Sequence, residues 1–179
     1  MKSKIIILSA LLMIGLAAIV FIYSRKSVPD FKNLKPIVAG IQKAQKVVLF
    51  EGLPHQGWEH EVLTHELKTQ KTLERHGFPF YQDLLPLDKE DARALTEVAS
   101  ASGTFLEFKR EKDCGGFHPD YCVEWHNASE VYRILFCLNC QEVKCYGPLG
   151  DTRCDISPEA YKTLAAILAK YHNRRPARK

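Results

Sequence analysis

The sequence predicts an α+β domain that follows an N-terminal membrane-spanning helix. Three observations support this: an uncharged apolar stretch over Ile5–Tyr23, helical periodicity in several later segments, and short strand-like segments grouped between residues 104 and 146. Grouped strands favour an α+β architecture over a doubly wound sheet. The length of 179 residues leaves room for one ordinary domain and a short appendage.

The apolar stretch Ile5–Tyr23 contains no charged residue. As a helix it would span about 28 Å, close to the roughly 30 Å hydrocarbon core of a bilayer. A cleaved signal peptide is the alternative, but its apolar region is usually shorter and is followed by a small-residue cleavage site, which is missing here. We therefore predict an uncleaved anchor over residues 1–26, a connector over 27–46, one α+β domain over 47–173 and a basic tail over 174–179.

Two arguments predict opposite orientations of this anchor. Arg25, Lys26 and nearby lysines after the stretch outnumber Lys2 and Lys4 before it, and the positive-inside rule would place the body in the cytoplasm. Long domains, however, translocate largely regardless of flanking charge, and clustered cysteines suit an oxidising compartment. We predict a single-pass membrane protein that contacts the membrane through Ile5–Tyr23 and whose body is extracytoplasmic.

The distribution of charge argues against a nucleic-acid partner. The formal net charge is +4, from 25 basic and 21 acidic residues. Four basic residues precede position 27 and four follow position 173, with no acid beside them. The body therefore keeps 17 basic against 21 acidic residues, whereas a nucleic-acid-binding domain concentrates positive charge on its folded part.

Local patterns predict the elements of the body. Apolar runs and alternation favour six strands, and apolar residues at helical spacing favour three helices with a further short one in the connector. The predicted strands are Val47–Phe50, Gly77–Tyr81 at an edge, Thr104–Phe108, Asp120–Trp125, Val131–Phe136 and Glu142–Tyr146. The predicted helices are Ile37–Gln45, Trp58–Lys68, Asp88–Ala99 and Ser157–Tyr171. Sequential short strands predict an antiparallel meander packed by about three helices.

The six cysteines, Cys114, Cys122, Cys137, Cys140, Cys145 and Cys154, all lie in the strand-rich half of the chain. An even, clustered set in an exported protein is typical of disulfide bonds, although the sequence does not select among the fifteen pairings that six cysteines allow. Cys122 alternates with apolar neighbours in a predicted strand, so it could equally be a buried free thiol.

The spacing Cys137-Leu138-Asn139-Cys140 has four interpretations. A thioredoxin-like site needs a helix after the first cysteine, but a strand pattern follows, which disfavours this interpretation. Covalent haem attachment needs His at position 141, which is Gln, so this interpretation fails. A structural zinc site would need further ligands such as Cys114, Cys145, Cys154 or His118. We predict structural disulfides and no cofactor, with a zinc-binding or thiol-redox domain built on Cys137 and Cys140 as the alternative.

The loop Gly115–Tyr121 is the other candidate functional feature. It brings His118 and Asp120 together beside Cys114, and loops carry functional residues disproportionately. Its Gly-Gly and Pro-Asp pairs are also ordinary turn formers, so a purely structural role is the alternative.

Four segments together resemble an uncharacterised family of exported or membrane-anchored bacterial proteins. They are Glu51–His55, His76–Phe80, Cys114–Tyr121 with Glu124-Trp125, and Cys137-x-x-Cys140. The resemblance covers most of residues 47–175 and implies a shared domain and compartment, but the family has no assigned activity and implies no catalytic residue. With no nucleophile–base arrangement visible, we expect a non-enzymatic domain that binds a ligand or another component of the cell envelope.

Overall fold

The computed structural model describes residues 30–176. The predicted anchor Ile5–Tyr23 lies outside this range, and none of the helices within residues 30–176 has the length and hydrophobicity of a membrane span. The described part is an α+β structure, as predicted, with four α-helices and an antiparallel sheet of six strands.

The first element of the described part is a 3-10 turn at Phe31–Asn33. The helices are α1 Leu34–Ile41, α2 His60–Thr69, α3 Lys89–Ser100 and α4 Pro158–Ala169. The strands are β1 Lys46–Glu51, β2 Thr72–Arg75, β3 Phe78–Tyr81, β4 Phe105–Glu107, β5 Tyr121–His126, β6 Val131–Cys137, β7 Glu142–Gly147 and β8 Gly150–Ile156.

The main sheet has the order β1-β5-β6-β7-β8-β4, with every neighbouring pair antiparallel. Strands β5 to β8 form an antiparallel meander, of which β5, β6 and β7 were predicted, while β2 and β3 form a separate hairpin. Alternation along each strand sends side chains to opposite faces of the sheet. Val123 and Trp125 accordingly belong to one buried cluster, and Cys122 to another.

The main core lies between the sheet and three helices. Ile37 and Ile41 from α1, Leu95 from α3 and Leu164 and Leu168 from α4 are all buried in it. On the opposite face, the β2–β3 hairpin covers a smaller apolar cluster that includes Phe50, Phe80 and Leu135. The sheet is therefore covered on both faces over its central strands.

Three features of the sheet differ from the sequence-based expectation. Strands β2 and β8 were not expected, and β4 does not join the meander beside β5 but lies at the opposite edge, paired with β8. The loop between residues 108 and 120 allows this separation, because a loop of that length can carry the chain across the end of the sheet instead of turning directly into the next strand.

The two segments expected to flank the domain take part in its packing. Within the expected connector, Ile37 and Ile41 lie in the main core. Within the expected basic tail, the side chain of Arg175 is only 10% exposed and pairs with two acids. Residues 30–46 and 174–176 therefore belong to the folded unit.

Helix α4 begins as its sequence predicts. The side chain of Ser157 accepts a hydrogen bond from the Ala160 amide, and Pro158 occupies the first helical position, an arrangement that satisfies otherwise unpaired amides of the first turn. Helix α3 begins in the same way, with Asp88 accepting from the Asp91 amide at 2.8 Å. Both caps confirm the expected starts of these helices.

We expect Leu164→Ala to lower the free energy of unfolding by about 2–5 kcal/mol, as for other truncations of buried leucines. Leu164 has no exposed surface and packs in the core between α4 and the sheet. Urea denaturation of the variant and of wild type measures the effect. Leu149→Ala is the matched control, because Leu149 is 80% exposed and should change stability little; equal effects at the two positions would contradict the assigned packing.

Candidate functional site

The candidate site is a cavity of about 510 Å³ between the loop that follows β1 and the loop that precedes β5. We call it the histidine cavity because His55, His60 and His118 line it, together with the rings of Phe78 and Phe117 and neighbouring backbone. The predicted functional loop supplies His118 to its wall. His55 and His60 come from a segment that the sequence did not single out as a site.

The His118 ring is fixed by the backbone of the facing loop. Its Nε2 lies 2.8 Å from the carbonyl oxygen of Leu53; because a carbonyl only accepts, Nε2 carries the proton. Burial lowers the pKa of His118, and the positive charge of Arg175 lowers it further against the opposing effect of Asp120. His118 therefore presents a neutral imidazole at neutral pH.

His55 lies directly beside His118. The two ring centroids are 4.7 Å apart and tilted by 41°. The Gly57 amide donates to Nδ1 of His55 at 2.9 Å, and the His55 amide donates to Oε2 of Glu59 at 2.7 Å. These local bonds fold residues 55–59 into a tight turn that holds the ring against the cavity.

An ion-pair network joins the two loops behind the histidines. Arg175 donates from Nη1 to Oδ1 of Asp120 at 2.7 Å and from Nη2 to Oε2 of Glu59 at 3.0 Å. The second oxygen of Asp120 accepts from the Leu138 amide at 2.8 Å. Asp120, the second residue predicted in the functional loop, is thus a structural anchor whose carboxylate is engaged through both oxygens.

A buried carboxylate holds the C-terminal segment that delivers Arg175. Glu51, 1% exposed at the end of β1, accepts from the amides of Asn173, Arg174 and Arg175. Its other contact is with Nδ1 of His172 at 2.9 Å. Three amides and an imidazole around one carboxylate supply the partners that a buried charge requires.

A disulfide bond between Cys114 and Cys140 holds the chain directly before Gly115, the first residue of this loop that lines the cavity. It joins the start of the Gly115–Tyr121 loop to the turn between β6 and β7 across a Cα–Cα distance of 5.9 Å. The adjacent Gly115 packs so closely on Trp58 that an added Cβ would lie 2.7 Å from the indole Nε1, and its φ of +78° suits glycine. The loop is therefore held at its start by both contacts.

The other four cysteines, Cys122, Cys137, Cys145 and Cys154, are free and buried. Cys137 and Cys140 of the C-x-x-C spacing are not bonded to each other, since Cys140 pairs with Cys114. Burial raises the pKa of the Cys137 thiol and that of Cys122. Over residues 30–176 no group of three or more His, Cys, Asp or Glu side chains has an arrangement that could hold a metal ion.

Only part of this site could be recognised in the sequence. The structure brings together the predicted His118, Asp120, Cys114 and Cys140, and places Cys145 and Cys154 away from them in the main core. Glu59 and Arg175 were missed because they come from distant segments and carry no local motif. A comparison of the chain with protein-family models, curated proteins and solved structures gave no match.

Proposed function

We propose that the folded body is a ligand-binding domain and that the ligand occupies the histidine cavity. The observation that carries this proposal is the cavity itself. Its volume of about 510 Å³ falls within the range of roughly 300–1,000 Å³ typical of small-molecule sites. It also combines a mainly apolar lining with a few convergent polar groups, as such sites do.

The lining indicates the chemistry of the ligand. Among the described residues that line the cavity there is no Asp, Glu, Lys or Arg, so a charged ligand would lose its hydration without gaining an opposite charge. The rings of Phe78 and Phe117 lie edge to face 5.4 Å apart and supply aromatic surface to the lining. Nζ of Lys144 lies over both rings, 4.9 Å and 4.8 Å from their centroids, and leaves the rest of that surface for a ligand. We infer an uncharged small molecule with an aromatic or other flat ring and a group that hydrogen-bonds to an imidazole.

The walls of the cavity are held in place before any ligand binds. The Cys114–Cys140 disulfide, the Arg175 network and the hydrogen bond from His118 to Leu53 all connect the two loops or their supports. A preorganised site loses less conformational entropy on binding. This rigidity supports a binding role.

The test is a titration of the full-length chain in a neutral detergent with benzamide and phenol as probes, followed by NMR. We expect saturable shifts in the ring signals of His55 and His118 and in the amides of the two loops. Phe117→Ala should weaken the binding of both probes by about tenfold, since stacking on one ring contributes about 0.5–1.5 kcal/mol beyond the buried area.

Tyr161→Ala provides the matched control. Tyr161 lines a second cavity of about 530 Å³ on the other side of the Arg175 network, so its loss should leave probe binding unchanged. Shifts that cluster around Tyr161, or that are spread over the surface without saturation, would contradict the assignment of the ligand to the histidine cavity.

We further propose that the apolar segment Ile5–Tyr23 anchors this domain on the extracytoplasmic side of a membrane. The length and composition of the segment support the anchor, and a disulfide bond in the body supports an oxidising compartment. We expect a reporter that is active only outside the cytoplasm to be active when fused after Lys179, and the chain to stay with membranes after alkaline washing. Activity of a cytoplasmic reporter instead would show that the flanking charges determine the orientation.

The alternative function, a metal-binding or thiol-redox domain that uses Cys137 and Cys140, has weaker support. A reactive thiol needs a lowered pKa and access to its partner, whereas Cys137 is 2% exposed and its burial raises the pKa. The backbone amides of His118 and Cys140 act in the opposite direction but do not outweigh burial. The binding role therefore takes precedence.

A further inference from the structure

A cluster of cations lies on the sheet face that carries the β2–β3 hairpin, away from the histidine cavity. Glu124 on β5 is buried, with a side chain 4% exposed, and its Oε1 accepts from Nε of Arg75 and from Nε of Arg133, each at 2.7 Å. Its Oε2 accepts from Nε2 of His126 at 3.0 Å. One carboxylate therefore holds three cationic or basic side chains in a fixed arrangement.

The cluster carries more positive than negative charge. Two guanidinium groups share a single carboxylate, so among the described residues the ion pairs balance only one of the two positive charges. Hydrogen bonds from Arg133 and Arg75 hold the pKa of Glu124 below its usual range despite the opposing effect of burial. The carboxylate is thus ionised and already occupied through both oxygens.

The two arginines bind Glu124 through Nε and keep hydrogen-bonding capacity at their terminal nitrogens. Within residues 30–176, the only acceptor for an Arg75 terminal nitrogen is the Glu74 carbonyl, and Arg133 bonds through Nε alone. Their side chains are 28% and 26% exposed, so a ligand from solvent can reach them. Arg75 also lies over the Phe50 ring at 5.2 Å, which further restricts its orientation.

The pKa of the neighbouring His76 reflects the electrostatic potential near the two arginines. It stacks on Tyr146 with ring centroids 3.5 Å apart. Burial lowers its pKa, and the charges of Arg133 and Arg75 lower it further, while Asp151 and Glu124 oppose them. The two acids therefore only partly offset the positive charge of the arginines.

We propose that Arg75 and Arg133 form a binding site for a phosphate group, with Glu124 as the residue that positions the two guanidinium groups. Arginine forks match phosphate oxygens and remain charged at all relevant pH values. A tetrahedral phosphate presents oxygens in several directions and can accept from both forks at once, which a planar carboxylate does less well. The phosphate could belong to a soluble compound or to a lipid headgroup, and the chemistry at the arginines is the same.

The experiment titrates inorganic phosphate into the full-length chain in a neutral detergent and follows the Nε–H signals of Arg75 and Arg133 by NMR. We expect saturable shifts of both signals that chloride at equal ionic strength does not reproduce. Reconstitution into phosphatidylcholine vesicles with and without phosphatidic acid then distinguishes the sources. A response to the acidic lipid as well as to phosphate identifies a headgroup, and a response to phosphate alone identifies a soluble compound.

Variants complete the test. Arg133→Gln should weaken phosphate binding by at least about tenfold, because it removes a charge-assisted fork. Arg93→Gln is the matched control, since Arg93 is 73% exposed and pairs only with Glu97 in the described part of the chain. If Arg133→Gln fails to fold, Arg133→Lys keeps the charge and should still weaken binding. Unsaturable shifts, an equal response to chloride, or unchanged affinity in the folded Arg133 variant would each overturn the proposal.

Discussion

Gly52→Ala should destabilise the protein by about 3 kcal/mol, at the upper end of what overpacking usually costs. Gly52 follows β1 directly, and its amide donates to the Asp120 carbonyl at 2.7 Å. A Cβ added there would lie 2.0 Å from the carbonyl oxygen of Pro119. The obstructing atom belongs to the backbone, so a side-chain rotation cannot relieve the clash and the two chain segments must separate.

The same substitution should weaken probe binding in the histidine cavity, because these two segments continue into His55 and His118. Urea denaturation measures the stability, and the benzamide titration measures binding under conditions where the variant remains folded. Gly57→Ala is the control: its Cβ would meet the ring of His55 at 3.2 Å, a side chain that can shift slightly, so the loss of stability should be smaller. Wild-type stability in Gly52→Ala would show that the segments do not cross so closely.

Strands with clear alternation were predictable, and one was overlooked even though its pattern is present. In β8 the side chains of Thr152, Cys154 and Ile156 are buried while the residues between them are partly exposed, which is the alternation expected of a half-buried strand. The short β2 lacks such a pattern, since only Leu73 among its residues is bulky and aliphatic. The formation of β2 therefore depends on its antiparallel pairing with β3.

Helix α2 shows where periodicity alone misleads. The apolar spacing of Trp58, Val62, Leu63 and Leu67 predicted a buried face, but only Leu63 is buried, and Trp58 is 64% exposed. The helix begins at His60, so Trp58 lies before it. The buried side includes Glu66, whose carboxylate accepts from the Tyr81 hydroxyl at 2.8 Å, a tertiary contact that no local pattern specifies.

The candidate site was only partly predictable for the same reason. His118 and Asp120 stand in a recognisable loop, but their roles depend on Arg175, which the sequence places among terminal basic residues. A buried arginine between two acids is determined by the fold, because the acids lie 116 and 55 positions away in the chain. Composition and spacing therefore locate the loop without revealing what holds it.

Removal of the disulfide in the Cys114→Ala, Cys140→Ala double variant should lower the free energy of unfolding by about 3.5 kcal/mol, the chain-entropy value for a loop of this length. The bond closes a separation of 26 residues, so its loss mainly frees the unfolded chain. Urea denaturation of wild type with and without reductant, and of the double variant, measures the effect.

The double variant also supplies its own control for this prediction. Because the other four cysteines are free, reductant should lower wild-type stability to that of the variant and leave the variant unchanged. Thiol counting on unfolded, non-reduced wild type should accordingly find four thiols out of six. A variant that reductant still destabilises, or a count below four, would mean that further cysteines pair. A count of six free thiols would mean that the disulfide is absent and gives no support for an oxidising compartment. The wall of the histidine cavity would then depend on the Arg175 network and on the contact between Gly115 and Trp58.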